Sequence, residues 1–305
     1  MSVQIRVLER DRTFTPLGIR FWDAALDVPV ADQLAVYAWL SGSQTAPVRA
    51  VRSPGGVYSF HRLPGQGRAE KPLGDDERPE IDGPAGEYAI AVDDRSGKYL
   101  PMAFSVPLPL GYRGEFLSQT GSTPGPGGKA YLFPAASSAV PPGVAAIRAD
   151  FVDADSEDRM APAAWAVLTA TLAGVTRTTI ADERGRAALF IPWPTPERLR
   201  QAGSPPPDTR AATWEVSLAV RWEPAALRYP FPAREGLDPA WAARPSLKSI
   251  LYEQRTALVL TDEGQAPAPE WTETLVHGQE LVLRTTLAGG GRAPTVWISA
   301  GASPP

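Results

Sequence analysis

The chain has no cysteine, only two histidines (His61 and His277), and only four lysines among its 30 basic residues. Without thiols there is neither a disulfide framework nor a thiol nucleophile, and two histidines alone do not make a Cys/His zinc site. Charge is scarce as well: Asp, Glu, Lys and Arg make up 21% of the chain and the net charge is −4. No broad basic field is present to draw a nucleic-acid backbone, so nucleic acid is not expected as a partner. Long helices are not expected either, because 33 prolines and 27 glycines interrupt regular backbone throughout the 305 residues. Long apolar runs are missing too. The longest weakly charged stretches are interrupted, as 161–180 is by Pro162, Gly174 and Arg177, short of the roughly 20 apolar residues that span a bilayer. The first twelve residues carry a charge every few positions, unlike the apolar segment of a signal peptide. These absences predict a cytoplasmic protein with no membrane span.

What is present is apolar and alternating. Hydrophobic residues reach 43% and aromatics 9%, enough for a packed core. Short runs of period two recur between Gly, Pro and Asp turns. They include Val3-Gln-Ile-Arg-Val-Leu, Leu34-Ala-Val-Tyr-Ala-Trp-Leu, Gly56-Val-Tyr-Ser-Phe and Glu87-Tyr-Ala-Ile-Ala-Val, then runs near 101–106, 144–152, 165–172, 187–192, 214–222, 256–261, 280–285 and 295–299. About thirteen short strands of this kind predict an all-β protein built of sandwiches or barrels. Helix signals are few. Thr195-Pro-Glu and Asp238-Pro-Ala-Trp each place a capping residue before a first-turn proline, and 246–254 has room for two turns. A glycine- and proline-rich stretch, Gly121-Ser-Thr-Pro-Gly-Pro-Gly-Gly, and a small-residue one, Ala135-Ala-Ser-Ser, with Pro141-Pro142 after it, suggest a boundary. The expected division is an N-terminal sandwich over 1–110, a linker over 111–142, a second sandwich over 143–235, and an extension with short helices and a hairpin over 236–305.

The two halves share a pattern. Ile19-Arg-Phe-Trp-Asp-Ala leads through Pro29 and a strand to Ser53-Pro-Gly-Gly-Val-Tyr-Ser-Phe-His-Arg-Leu-Pro; Ile147-Arg-Ala-Asp-Phe-Val-Asp-Ala leads through Pro162 and a strand to Ala181-Asp-Glu-Arg-Gly-Arg-Ala-Ala-Leu-Phe-Ile-Pro. This predicts a duplicated strand unit of about 45 residues. The order, and Gly56-Val-Tyr-Ser-Phe-His-Arg-Leu-Pro above all, resembles the transthyretin-like module known as the carboxypeptidase regulatory-like domain. The resemblance covers roughly 15–110 and 143–225; the second copy has Ala187 where the first has Tyr58. It implies immunoglobulin-like sandwiches without catalytic residues or cofactor, serving as scaffold or assembly surface. More broadly, Val57-Tyr-Ser-Phe-His-Arg-Leu-Pro-Gly, Ser96-Gly-Lys-Tyr-Leu-Pro, Val140-Pro-Pro-Gly-Val-Ala and Gly278-Gln-Glu-Leu-Val-Leu-Arg resemble proteins encoded beside phage-tail-like contractile injection systems. That resemblance implies a subunit at the cap or baseplate, with other particle subunits as partners and a homo-oligomeric ring as its setting.

Other chemistries compete with this reading. Thr123-Pro-Gly-Pro-Gly-Gly-Lys looks like a phosphate loop, but Ala130 stands where the Ser or Thr belongs and prolines remove the donors. Asp150, Asp153, Asp155, Glu157 and Asp158 place five carboxylates within nine residues, a composition that suits calcium or a solvated hairpin. His61 and His277 lack a Gly-x-Ser-x-Gly elbow. Acid pairs at Asp75-Asp76-Glu77 and Asp93-Asp94 are open to glycoside hydrolysis or to turn formation. Of the nine tryptophans, Trp22, Trp39 and Trp165 are expected in the core. Trp193, Trp222, Tyr229, Phe231 and Trp241 lie at strand ends or in proline-rich loops and are the candidate protein-contact residues, with sugar stacking as the alternative. No catalytic residue, metal ligand or cofactor is assigned.

Overall fold

The computed structural model describes residues 15–66, 85–108, 129–158, 161–194 and 212–301. Among these residues the chain is all-β, with seventeen strands and three short helical elements. In the N-terminal half, β1 (Leu17–Asp23), β4 (Val51–Arg52), β5 (Val57–Phe60) and β8 (Ala130–Leu132) form a sheet in the order β4-β5-β1-β8. A second sheet holds β2 (Leu34–Leu40), β3 (Val48–Arg49), β6 (Gly86–Asp94) and β7 (Met102–Leu108) in the order β3-β2-β6-β7. Alternate side chains of both sheets enter one core, among them Ile19 and Phe21 of β1, Tyr58 and Phe60 of β5, Leu34 and Val36 of β2, and Tyr88, Ile90 and Val92 of β6. Because successive side chains point to opposite faces, period-two alternation gives each sheet one apolar face, and two such faces close on each other.

The C-terminal half repeats this plan. One sheet runs β12-β9-β17-β14, from β9 (Val144–Asp153), β12 (Arg186–Pro192), β14 (Leu258–Leu260) and β17 (Val296–Ser299), with β16 (Leu281–Val282) also paired to β9. The other runs β11-β10-β13-β15, from β10 (Val167–Leu172), β11 (Val175–Ile180), β13 (Thr213–Arg221) and β15 (Glu270–Val276). The correspondence is strand by strand: antiparallel β1–β5 matches β9–β12, β3-β2-β6-β7 matches β11-β10-β13-β15, and β8, parallel to β1, matches β16 and β17, parallel to β9. The repeated residues hold equivalent turns. The Asp23 carboxylate accepts from the Ala25 and Leu26 amides at 2.8 and 3.1 Å, and Asp153 accepts from Asp155 at 2.9 Å. Pro29 bridges to Trp22 and Pro162 to Val152. Gly56 and Gly185, at φ +79° and +78°, precede β5 and β12. Gly185 is the stricter position, since a Cβ there would stand 2.2 Å from the Phe151 carbonyl oxygen.

Strand pairing divides the chain at points other than those expected. Of the expected linker, 129–142 is tied in part to the first sandwich, through β8 and through bonds from Ala135 N and Ser138 Oγ to the Lys98 carbonyl; 111–128 lies outside the described residues. The expected extension over 236–305 instead supplies β14–β17 to both sheets of the second sandwich. The physical reason is that β9 and β13 would otherwise each leave a row of unpaired backbone groups along one edge. The run at 3–8 and the helix start at Thr195 also fall outside the described residues.

One insertion breaks the symmetry. β6 and β7 are joined directly over 95–101, whereas 222–269 separate β13 from β15, and the first part of that insertion, 222–257, forms a strap that returns to the first sandwich. This strap contains α1 (Pro239–Ala242), capped by the Asp238 side chain on the Ala240 amide at 2.9 Å, and a π-helical turn at Ser249–Glu253. Leu247, Ile250 and Leu251 of the strap join Trp165, Val167 and Ile180 of the second sandwich in the core of the first. The sandwiches also meet directly where Ala25 packs with Val144, Ala146, Ala188 and Phe190.

Candidate functional site

The five candidate contact residues separate into three environments. Trp222 is 5% exposed in the second core, and its indole N–H donates to the Ala164 carbonyl at 3.2 Å. Phe231 and Trp241 are buried on the first sandwich, beside Trp39, Ala89, Ala91 and Ala103. These three are therefore corrected from surface contacts to internal packing: the strap turns its apolar side chains inward because the outer face of β2 and β6 is itself apolar and lowers its free energy by being covered. Tyr229 stays 52% exposed on the strap. Trp193 is half-buried and joins a cluster that the sequence did not assemble.

That cluster is made of three strand ends. Trp193 follows β12, Trp214 is the second residue of β13, and His277 follows β15, whose pairing with β13 is continued by the bond from His277 N to the Ala212 carbonyl at 2.8 Å. Ring centroids lie 4.8 Å apart for Trp193 and His277, 5.6 Å for Trp193 and Trp214, and 5.9 Å for Trp214 and His277, at tilts of 42–59°. His277 is exposed and both indoles are half-buried over the second core. Rings in mutual contact form a shelf rather than a cage, so the arrangement offers faces and edges for stacking, with an imidazole at its rim. In the sequence His277 stands out only as one of two histidines and Trp214 only as part of the strand run at 214–222; the signal for Trp214 is its place near the start of a strand whose inward positions continue as Val216, Leu218 and Val220.

The remaining candidates resolve into structure. Of the expected core tryptophans, Trp39 and Trp165 are buried, whereas Trp22 is half-buried with the Lys129 ammonium 3.8 Å from its ring centre. Lys129, the last residue of the phosphate-loop lookalike, also pairs with Asp27 at 2.7 Å. The Lys129 and Tyr131 bonds to Asp27 hold its carboxyl below the usual range, while burial and that same bond push the Tyr131 phenol up to about 12. Asp93 pairs with Arg244 at 2.7 Å. Asp94 accepts from the amides of Ser96, Lys98 and Tyr99 at 2.9–3.0 Å; burial raises its pKa, but these bonds outweigh it and the net shift is downward. His61 is exposed at the end of β5. Asp75, Asp76 and Glu77 lie outside the described residues. Among the described residues, no group of three His, Asp or Glu is arranged to hold a metal ion, the Asp150–Asp158 run included. A cavity of about 10 Å³ between Met102, Trp165 and Leu247 has room for about one water.

No described helix is long and apolar enough to cross a membrane. Comparison with protein-family models, curated proteins and solved structures gave no match.

Proposed function

We propose that the chain is a non-enzymatic structural subunit of a phage-tail-like contractile injection particle, placed in its cap or baseplate region and made in the cytoplasm. Its two sandwiches are on this reading immunoglobulin-like, transthyretin-like modules. The observation that supports the reading is the core common to both sandwiches and the strap, in which Trp165, Val167 and Ile180 pack with Met102, Phe104 and Leu247. A continuous core makes two modules into one rigid body, and a rigid body can hold neighbouring subunits at a fixed distance. The particle itself is supported by the resembling segments at 57–65, 96–101, 140–145 and 278–284. Among the described residues, Tyr229 and the Trp193–Trp214–His277 shelf offer aromatic surfaces for contacts, and heterologous contacts between identical copies would close a ring. Affinity isolation of intact particles from the source cell tests this. The chain is expected with tube and sheath proteins, and its recovery only as free monomer overturns the reading.

The aromatic shelf favours a second reading, a module that binds a glycan or a receptor, since half-buried indoles at a sandwich end suit sugar stacking. A glycan array read with the native chain and with Trp193→Ala separates the two. Binding that the variant loses favours the second reading, and no binding by either chain sets it aside.

A further inference from the structure

The strap lies where the two sandwiches differ, and one amide ties it to a strained residue. Trp165 has φ +62°, a left-handed conformation that a bulky residue adopts only when its surroundings enforce it. The Gln254 side chain, itself 5% exposed, donates from Nε2 to the Trp165 carbonyl at 2.8 Å and to the Ile250 carbonyl at 3.1 Å, and its Oε1 accepts from the Glu223 amide at 2.9 Å. One carboxamide thus joins the start of the strap, its π-helical turn and the second sandwich. Toward the first sandwich, Arg244 pairs with Asp93, Arg234 donates to the Ser43 carbonyl, Ser246 bridges in parallel to Ala103 of β7, and Trp241 stacks on Tyr37 at 5.0 Å.

We propose that residues 222–257 are a clamp that sets the angle between the sandwiches, with the Gln254 carboxamide as its catch. When the catch opens, Trp165 relaxes to negative φ, Leu247 and Ile250 leave the shared core, and the sandwiches pivot about the Ala139-Val-Pro-Pro-Gly143 connection. The clamp is a conformational device beyond the assembly reading. A chain that kept its angle without the catch would still be eligible as a subunit, so the two ideas fail separately.

The absence of cysteine makes the test direct, because spin labels placed by Gln44→Cys and Thr274→Cys, both exposed and one on each sandwich, are the only ones. The doubly labelled native chain is expected to give one narrow distance distribution. Adding Gln254→Leu is expected to give a second, displaced population; a narrow, unchanged distribution from folded Gln254→Leu overturns the proposal. Hydrogen exchange on the unmodified chain covers the case in which that variant does not fold. The amides of the strap and of Trp165 are expected to open together, ahead of β9 and β13, and about tenfold faster in Gln254→Glu, which keeps the acceptor but loses both donations. Strap amides that exchange only with global unfolding overturn the proposal equally.

Discussion

Replacing Trp241 by alanine distinguishes internal packing from an external contact. The indole is 5% exposed, sits 5.0 Å from the Tyr37 ring and 5.3 Å from Phe231, and directs its N–H to Asp93 at 3.3 Å. A buried tryptophan truncated to alanine costs about 3–5 kcal/mol, and each aromatic pair contributes about 0.5–1.5 kcal/mol of specific geometry. The long bond to Asp93 adds little, and the strap can settle partly into the space, so the lower end, about 3 kcal/mol, applies. With an unfolding entropy of about 2.1 cal/mol/K per residue, a 305-residue cooperative unit has about 0.64 kcal/mol/K. The melting temperature should then fall by about 5 °C. Scanning calorimetry of native and variant chains measures this, and the shared core predicts a single transition in the native chain. A shift below about 1 °C, accompanied by lost association with a partner, would refute the packing argument and return Trp241 to the surface.

Three further outcomes follow from individual residues. Gly185→Ala forces a Cβ into the Phe151 carbonyl at positive φ, and a denaturant titration should show a loss of at least about 2 kcal/mol, whereas alanine at Gly174, also at positive φ but with nothing within 4 Å, should cost less. Against burial, the Ser96, Lys98 and Tyr99 bonds hold the Asp94 carboxyl below the ordinary aspartate value, so its turn contributes stability above that ordinary value and loses it as pH falls through the lower folded value; Asp94→Asn should therefore lower the urea midpoint at pH 7, with the gap closing in acid. Glu273 lies on the core side of edge strand β15, opposite Val216, and burial raises its pKa above 4.5 against the pull of Arg292. Its charged form then costs stability as pH rises through the folded value, so Glu273→Gln should raise the urea midpoint at pH 7 with the gain vanishing below pH 4.5; light scattering should also show more self-association, because an inward charge guards an edge strand.

Much of the fold could be read from local pattern. Tyr88-Ala-Ile-Ala-Val alternates large and small residues, and the large ones face the core while Ala89 and Ala91 leave room on the other face. The Asp-Ala pairs, the turn prolines and the hairpin glycines identified the duplication, since backbone turns depend on residues a few positions apart. The contact site was much less legible. Phe231 and Trp241 in a proline-rich loop have the same local signature whether they face solvent or a sheet, and the sheet they cover is more than a hundred residues away in sequence. Trp193, Trp214 and His277 likewise come together only because β12 and β15 end, and β13 begins, at one end of a sandwich.

The sequence by itself determined strand period, turn positions, the cap of α1 and the repeat, all set by sterics and hydrogen bonding within a few residues. Tertiary structure alone decided that β14–β17 complete the second sandwich, that the strap closes over the first, and that the carbonyl of Trp165, a residue at positive φ, accepts from the Gln254 amide 89 positions away. Each depends on which unpaired edge or uncovered apolar face is nearest in space, and distance along the chain does not encode that.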